Sequence, residues 1–68
     1  SGLSGIAHWI NTYYKLPKER KVDKNSELVA MVKDWVDKEY EDGRVTAIAD
    51  NELVVKITEC CNQLNLVL

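Results

Sequence analysis

This chain has a single histidine, two cysteines that are neighbours, no phenylalanine and no long apolar run. Each scarcity excludes something. One His and an adjacent Cys60–Cys61 pair cannot give the spaced four-ligand pattern of a structural zinc site. Neighbouring cysteines do not easily reach the Cα separation of about 4.4–6.8 Å that an ordinary disulfide needs, so they cannot staple the fold. A reduced, cytoplasmic setting is the simpler expectation. No stretch approaches the ~18 apolar residues that span a bilayer, and nothing at the start reads as a secretory signal. Positive charge is not in excess: the formal charge is −2 and the pI about 5.2. A nucleic-acid module usually carries a basic face, so neither nucleic acid nor membrane is expected as a partner.

What is present is ordinary for a globular chain: 68 residues, 46% hydrophobic and 29% charged. That allows at most one domain with a thin core. Periodicity predicts an all-α, three-helix unit with helices over roughly 4–15, 26–42 and 50–66. Leu3, Ile6, Ala7, Ile10, Tyr13 and Tyr14 make the first apolar stripe, with Ser4 as candidate N-cap and Pro17 as the stop. Leu28, Val29, Val32, Trp35, Val36 and Tyr40 make the second, with Met31 at its edge. Asn25 or Ser26 caps it, and Gly43 ends it. Glu39 falls inside that stripe, near the helix end where it can reach solvent. "RVTAIA" reads as a connector with one extended turn, and Asp50 as the cap of the last helix. Leu53, Val54, Ile57, Cys60, Cys61, Leu64 and Leu68 give the third stripe.

Several chemistries are tempting and fail on position. "EYEDGRV" hints at a calcium loop, but with Gly43 at loop position six, Lys38 stands at position one and Ala49 at position twelve. Both places need carboxylates. "KNSEL" suggests the serine of an acyl carrier protein, but the Asp-Ser-Leu pattern is missing, and a helix cap explains the serine. Lys15, Lys18, Arg20, Lys21 and Lys24 crowd the first connector, where a phosphate could bind. Glu19 and Asp23 interrupt them, which favours a solvated loop. A DNA-reading helix needs positive charge, and the second helix is acidic. His8 points away from the first stripe and Trp9 lies on its flank. Either they are simply exposed, or their face packs on a partner.

The order of segments carries a resemblance. Gly2 to Ala7 matches a "G-x-S-G-[IVR]-A" helix start. A polar connector, the amphipathic "SELVAMVKDWVDKEYEDG" and the turn "RVTAIADNEL" before a last helix follow. Across residues 2 to about 58 this resembles the helical subdomain after the catalytic barrel of the isopropylmalate synthase and homocitrate synthase family. "GIAHWIN" and "WVDKEYEDGR" are most similar to a branch that includes Re-type citrate synthases. The resemblance implies that residues 1–68 are one helical subdomain, a piece of a larger TIM-barrel enzyme. The start without Met, directly on a helical pattern, fits that expectation.

The implied parent is an acyltransferase that condenses acetyl-CoA with a 2-oxo acid. A divalent metal on the barrel would polarise the oxo acid, while this piece itself holds no cofactor. The subdomain would be non-catalytic, packing on the parent barrel and on the homodimer partner. Some members contribute a His from a "TDH"-like stretch at the end of the first helix. Thr12-Tyr13-Tyr14 occupies that place, so Tyr14, and less directly His8, are the candidate catalytic residues in the parent enzyme. A stand-alone helical protein-interaction module using the His8–Trp9 face is the alternative.

Overall fold

The structure is a computed structural model that describes residues 2–68. Among them it is all-α: α1 (Leu3–Tyr13), a short 3-10 helix (Lys18–Arg20), α2 (Glu27–Glu41) and α3 (Asp50–Leu64). Helix α2 is the middle element and packs against both α1 and α3. It buries Leu28, Val29, Val32 and Val36. Ile6, Ala7 and Ile10 meet them from α1, and Ile57, Cys60 and Cys61 from α3. The unit measures 37 × 21 × 21 Å, only about two helix diameters thick. Its core is therefore one layer deep, and partly buried Trp9, Trp35, Met31 and Leu53 close its edges.

The starts of the helices differ from the expected ones in two places. Helix α1 begins one residue earlier than expected, with Gly2 rather than Ser4 at the N-cap and no capping side chain. At α2 the expectation holds, since the Ser26 hydroxyl accepts the Val29 N–H. At α3 the N-cap is Ala49, and Asp50 is the first helical residue. Ala49 has no side-chain acceptor. Glu52 replaces half of the usual reciprocal cap by accepting the Ala49 N–H at 3.0 Å.

All three helices end alike. Leu16 N–H returns to Asn11 C=O, Arg44 N–H to Glu39 C=O and Leu66 N–H to Cys61 C=O. In each case the preceding residue is left-handed: Lys15 at φ 53°, Gly43 at φ 101° and Asn65 at φ 54°. This is the six-to-one closure that satisfies the last carbonyls of a helix. It stops α1 at Tyr13, before Pro17 is reached, and α3 at Leu64, so Leu68 packs on the core from beyond the helix. The closure at Lys15 also turns Leu16 inward, and Leu16 is buried although it stands in a polar connector.

Polar clamps hold the two connectors. The Asn11 side chain donates to Val22 C=O at 3.1 Å and accepts Val22 N–H at 2.7 Å. This fixes the first connector to α1. In the second connector, all five donors of the Arg44 guanidinium are used. Two meet the Glu52 carboxylate at 2.9 and 2.6 Å, and one meets Glu39 at 2.9 Å. Two more go to the carbonyls of Thr46 and Ala47. Glu39 thus has a partner within its apolar stripe. No strand forms here, and "RVTAIA" is an irregular loop with Val45 fully outside and Ile48 tucked onto the core. Tyr13 and Tyr40 sit on their stripes by spacing, yet are 49% and 46% exposed.

Two outcomes are expected from this architecture. A left-handed conformation strains any residue with a Cβ by roughly 1–2 kcal/mol. Lys15→Gly should therefore raise the stability of the chain by about 1 kcal/mol, read by chemical denaturation. The hydrogen bonds from Arg44, then the Ala49 N–H, hold the Glu52 carboxyl at about 2, below its usual 4.5. A depressed folded-state value means stabilisation that is complete above about pH 4.5 and is lost as pH falls towards 2. The melting-temperature gap between the unsubstituted chain and Glu52→Gln should therefore be widest near neutrality and shrink across that window. A gap independent of pH would assign the stabilisation to something other than the ionised carboxylate.

Candidate functional site

His8 and Tyr14 are six residues apart on one helix, which places them on different faces. His8 is exposed. Tyr14 stands at the C-terminal end of α1, half-buried, edge-on to Tyr13 with ring centroids 5.2 Å apart. Its ring lines a shallow hollow of about 300 Å³ with Thr58, Cys61 and Leu66. Burial, then the neighbouring Cys61 thiol, pushes the Tyr14 phenol above its usual value. At neutral pH it is a neutral donor and acceptor, unable to remove a proton as a base. The structure does not bring these two residues together into one site.

Trp9 parts company with His8. Its ring stacks on Tyr13, one turn further along α1, at 4.7 Å and 10°, and its inner edge packs on the core. Trp9 forms one wall of a groove of about 290 Å³. Trp9 and Gly5 of α1, Val36 and Tyr40 of α2, Ile48 of the connector and Leu53 of α3 line it. The lining is almost wholly apolar and contains no acid, base or thiol, so the groove is suited to receive side chains rather than to carry out a reaction. Gly5 and Ile48 are lining residues that no apolar stripe included, while Tyr40, placed on the second stripe by its spacing, stands half-exposed at the groove. The signal at Gly5 is a glycine inside a helix.

A larger hollow, about 520 Å³, lies between the first connector, Leu28 of α2 and the C-terminal residues Leu64, Leu66 and Leu68. There the Arg20 guanidinium donates to Val67 C=O at 3.2 Å. The other basic residues of this connector are exposed, as in a solvated loop. Among the described residues no group of three His, Cys, Asp or Glu side chains is arranged to hold a metal ion. Among the same residues no helix is long and apolar enough to cross a membrane.

Cys60 and Cys61 are both buried and unpaired. Burial pushes both thiols above their usual value. Adjacent positions on α3 send them to different neighbours: Cys60 lies with Met31 and Trp35 of α2, and Cys61 lies with Tyr14 of α1. Thiolate is the reactive form. Reaction with an aromatic disulfide reagent at pH 8 should run on the order of tenfold or more slower in the folded chain than in denaturant. Equal rates would mean that α3 does not hold its place.

No family model matches the chain, and no solved structure matches it. Two curated relatives do. It is 46% identical over 59 residues to the citrate (Re)-synthase of Clostridium kluyveri, a match covering 87% of this chain and 13% of that protein. It is 42% identical over 57 residues to the citrate (Re)-synthase of Syntrophus aciditrophicus, covering 84% of this chain and 9% of that protein. The chain thus spans about an eighth or less of the length of the curated relatives it matches. Over most of its residues, this three-helix chain is a homologue of a short segment of proteins named citrate (Re)-synthase.

Proposed function

We propose that the chain is a non-catalytic helical subdomain of an acetyl-CoA-dependent condensing enzyme that forms citrate. In this reading it follows a TIM barrel and packs against that barrel and the homodimer partner. The 46% identity over 59 residues to a protein named citrate (Re)-synthase is the observation that carries the reading. The physical character of the unit supports it. Its one-layer core leaves an apolar groove open beside the Trp9–Tyr13 stack. His8 is exposed, and burial pushes the Tyr14 phenol up. Metal-assisted polarisation of the 2-oxo acid is assigned to the barrel, outside these residues.

The test uses the complete reading frame that contains these residues. The full polypeptide, supplied with a divalent metal, should release free thiol from acetyl-CoA with oxaloacetate, the 2-oxo acid whose condensation gives citrate. Release with 2-oxoglutarate, 2-oxoisovalerate or pyruvate instead would keep the enzyme class and change the product. No release with any of them would leave the stand-alone interaction module. In an active enzyme, His8→Ala and Tyr14→Phe should each keep kcat within a few-fold. A loss of about 10²-fold or more in either would assign that residue a proton-transfer role.

A further inference from the structure

We infer that Cys60 and Cys61 form a thiol-oxidation site at which a Cys60–Cys61 disulfide and the folded α3 exclude each other. Both residues lie inside α3, and with Ile57 they are what that helix buries. Both are unpaired, at 1% and 8% exposure. Consecutive positions on a helix differ by about 100°, and the fold uses that divergence. Cys60 lies with Met31 and Trp35 of α2. Cys61 lies with Tyr14 of α1 and with Leu66. One pair of neighbours thus serves both of the helices that flank α3.

A disulfide reverses this arrangement. It needs its sulfurs at about 2.05 Å and its Cβ atoms about 3.5–4.5 Å apart. Adjacent Cα atoms stand about 3.8 Å apart across a trans peptide, short of the usual disulfide range of about 4.4–6.8 Å. The ring therefore closes only when both side chains turn to one side and the backbone leaves helical geometry. Both sulfurs then abandon their neighbours in the core. The bend falls at the last turn of α3, where Cys61 C=O accepts the Leu66 N–H and Asn65 is left-handed, so the closure of the helix is lost with it.

The co-reactant is a low-molecular-weight disulfide. One cysteine thiolate attacks a reagent sulfur, forms a mixed disulfide and releases one reagent thiolate. The neighbouring thiolate attacks the protein sulfur of that mixed disulfide, closes the ring and releases the second reagent thiolate. Two electrons pass from the cysteine sulfurs to the reagent, and the two thiol protons end on the released thiolates. In the folded chain the first step is blocked, because the thiols are buried and burial pushes both above their usual value. Opening of α3 frees both steps at once, and adjacency makes the second intramolecular. The pair records an opening of α3 and holds the helix open until a reductant breaks the bond.

The experiment takes the complete polypeptide through urea with oxidised glutathione, removes both, and follows α3 by hydrogen exchange read by mass spectrometry. A parallel sample passes through urea without oxidant, which separates the effect of the bond from that of denaturation. A polypeptide that does not refold from urea is oxidised in native buffer over a longer time, where openings of α3 give the same product. The peptide containing both cysteines should lose the mass of two hydrogens and carry no glutathione. In that product the amides of Asp50–Leu64 should exchange at least about tenfold faster than in the unoxidised sample, and dithiothreitol should restore slow exchange. Closure in native buffer should be at least about tenfold slower than in urea. A disulfide that leaves exchange in α3 unchanged would overturn the assignment. So would glutathione adducts or no reaction in place of the internal disulfide, or equal rates of closure with and without urea. None of these readouts depends on citrate formation, so they stand or fall apart from the reading above.

Discussion

One guanidinium ties the α2–α3 half of the molecule together. Arg44 emerges immediately after the turn that ends α2 and reaches back to Glu39 on that helix and forward to Glu52 on α3. It also gathers the loop carbonyls between them. A one-layer core has little apolar surface with which to fix the angle between two helices. A planar fork with every donor occupied supplies geometry that apolar contact does not, because it tolerates few arrangements of its acceptors. Glu52 serves twice, since the oxygen that meets Arg44 also receives the Ala49 N–H. The start of α3 and the end of α2 are therefore set by one shared network. Ile48 and Leu53, which depend on that loop for position, form part of the groove wall.

Helix α2 was the most legible element, and its chemistry explains why. Ser26, an apolar stripe that buries Leu28, Val29, Val32 and Val36, and Gly43 are each local signals, and each does in the fold what its residue type favours. Helix α3 was legible in its body and not at its cap, because Ala49 has nothing to cap with. The usable sign was Glu52 three residues later, which works through the backbone N–H. Lys15 and Leu16 were not legible. Lysine carries no preference for left-handed backbone, and a leucine between charged residues looks like solvent-facing chain until the closure of α1 turns it inward. Asn11 was silent for a different reason. Its partner Val22 is distant in sequence, and nothing in either residue announces the pairing.

The functional surface was partly visible. The spacing correctly set His8 outside the core and Trp9 at its flank, but it joined them as one face. A side chain as long as Trp can lie back along its helix onto the residue four positions on, and Tyr13 provides the landing. That stacking separates Trp9 from His8 and makes it the wall of a groove that three helices and a loop share. A surface assembled from α1, α2, α3 and a loop cannot be read from the period of any single helix.

The three left-handed positions have a stereochemical consequence. Positive φ is the mirror image of the conformation L-residues prefer, so Lys15, Gly43 and Asn65 are the points where this chain bends against its own handedness. Gly43 is achiral and feels no conflict. Asparagine tolerates the region better than most side chains. At Lys15 the mismatch is largest, and there a mirror-image amino acid would suit the backbone better than the natural enantiomer.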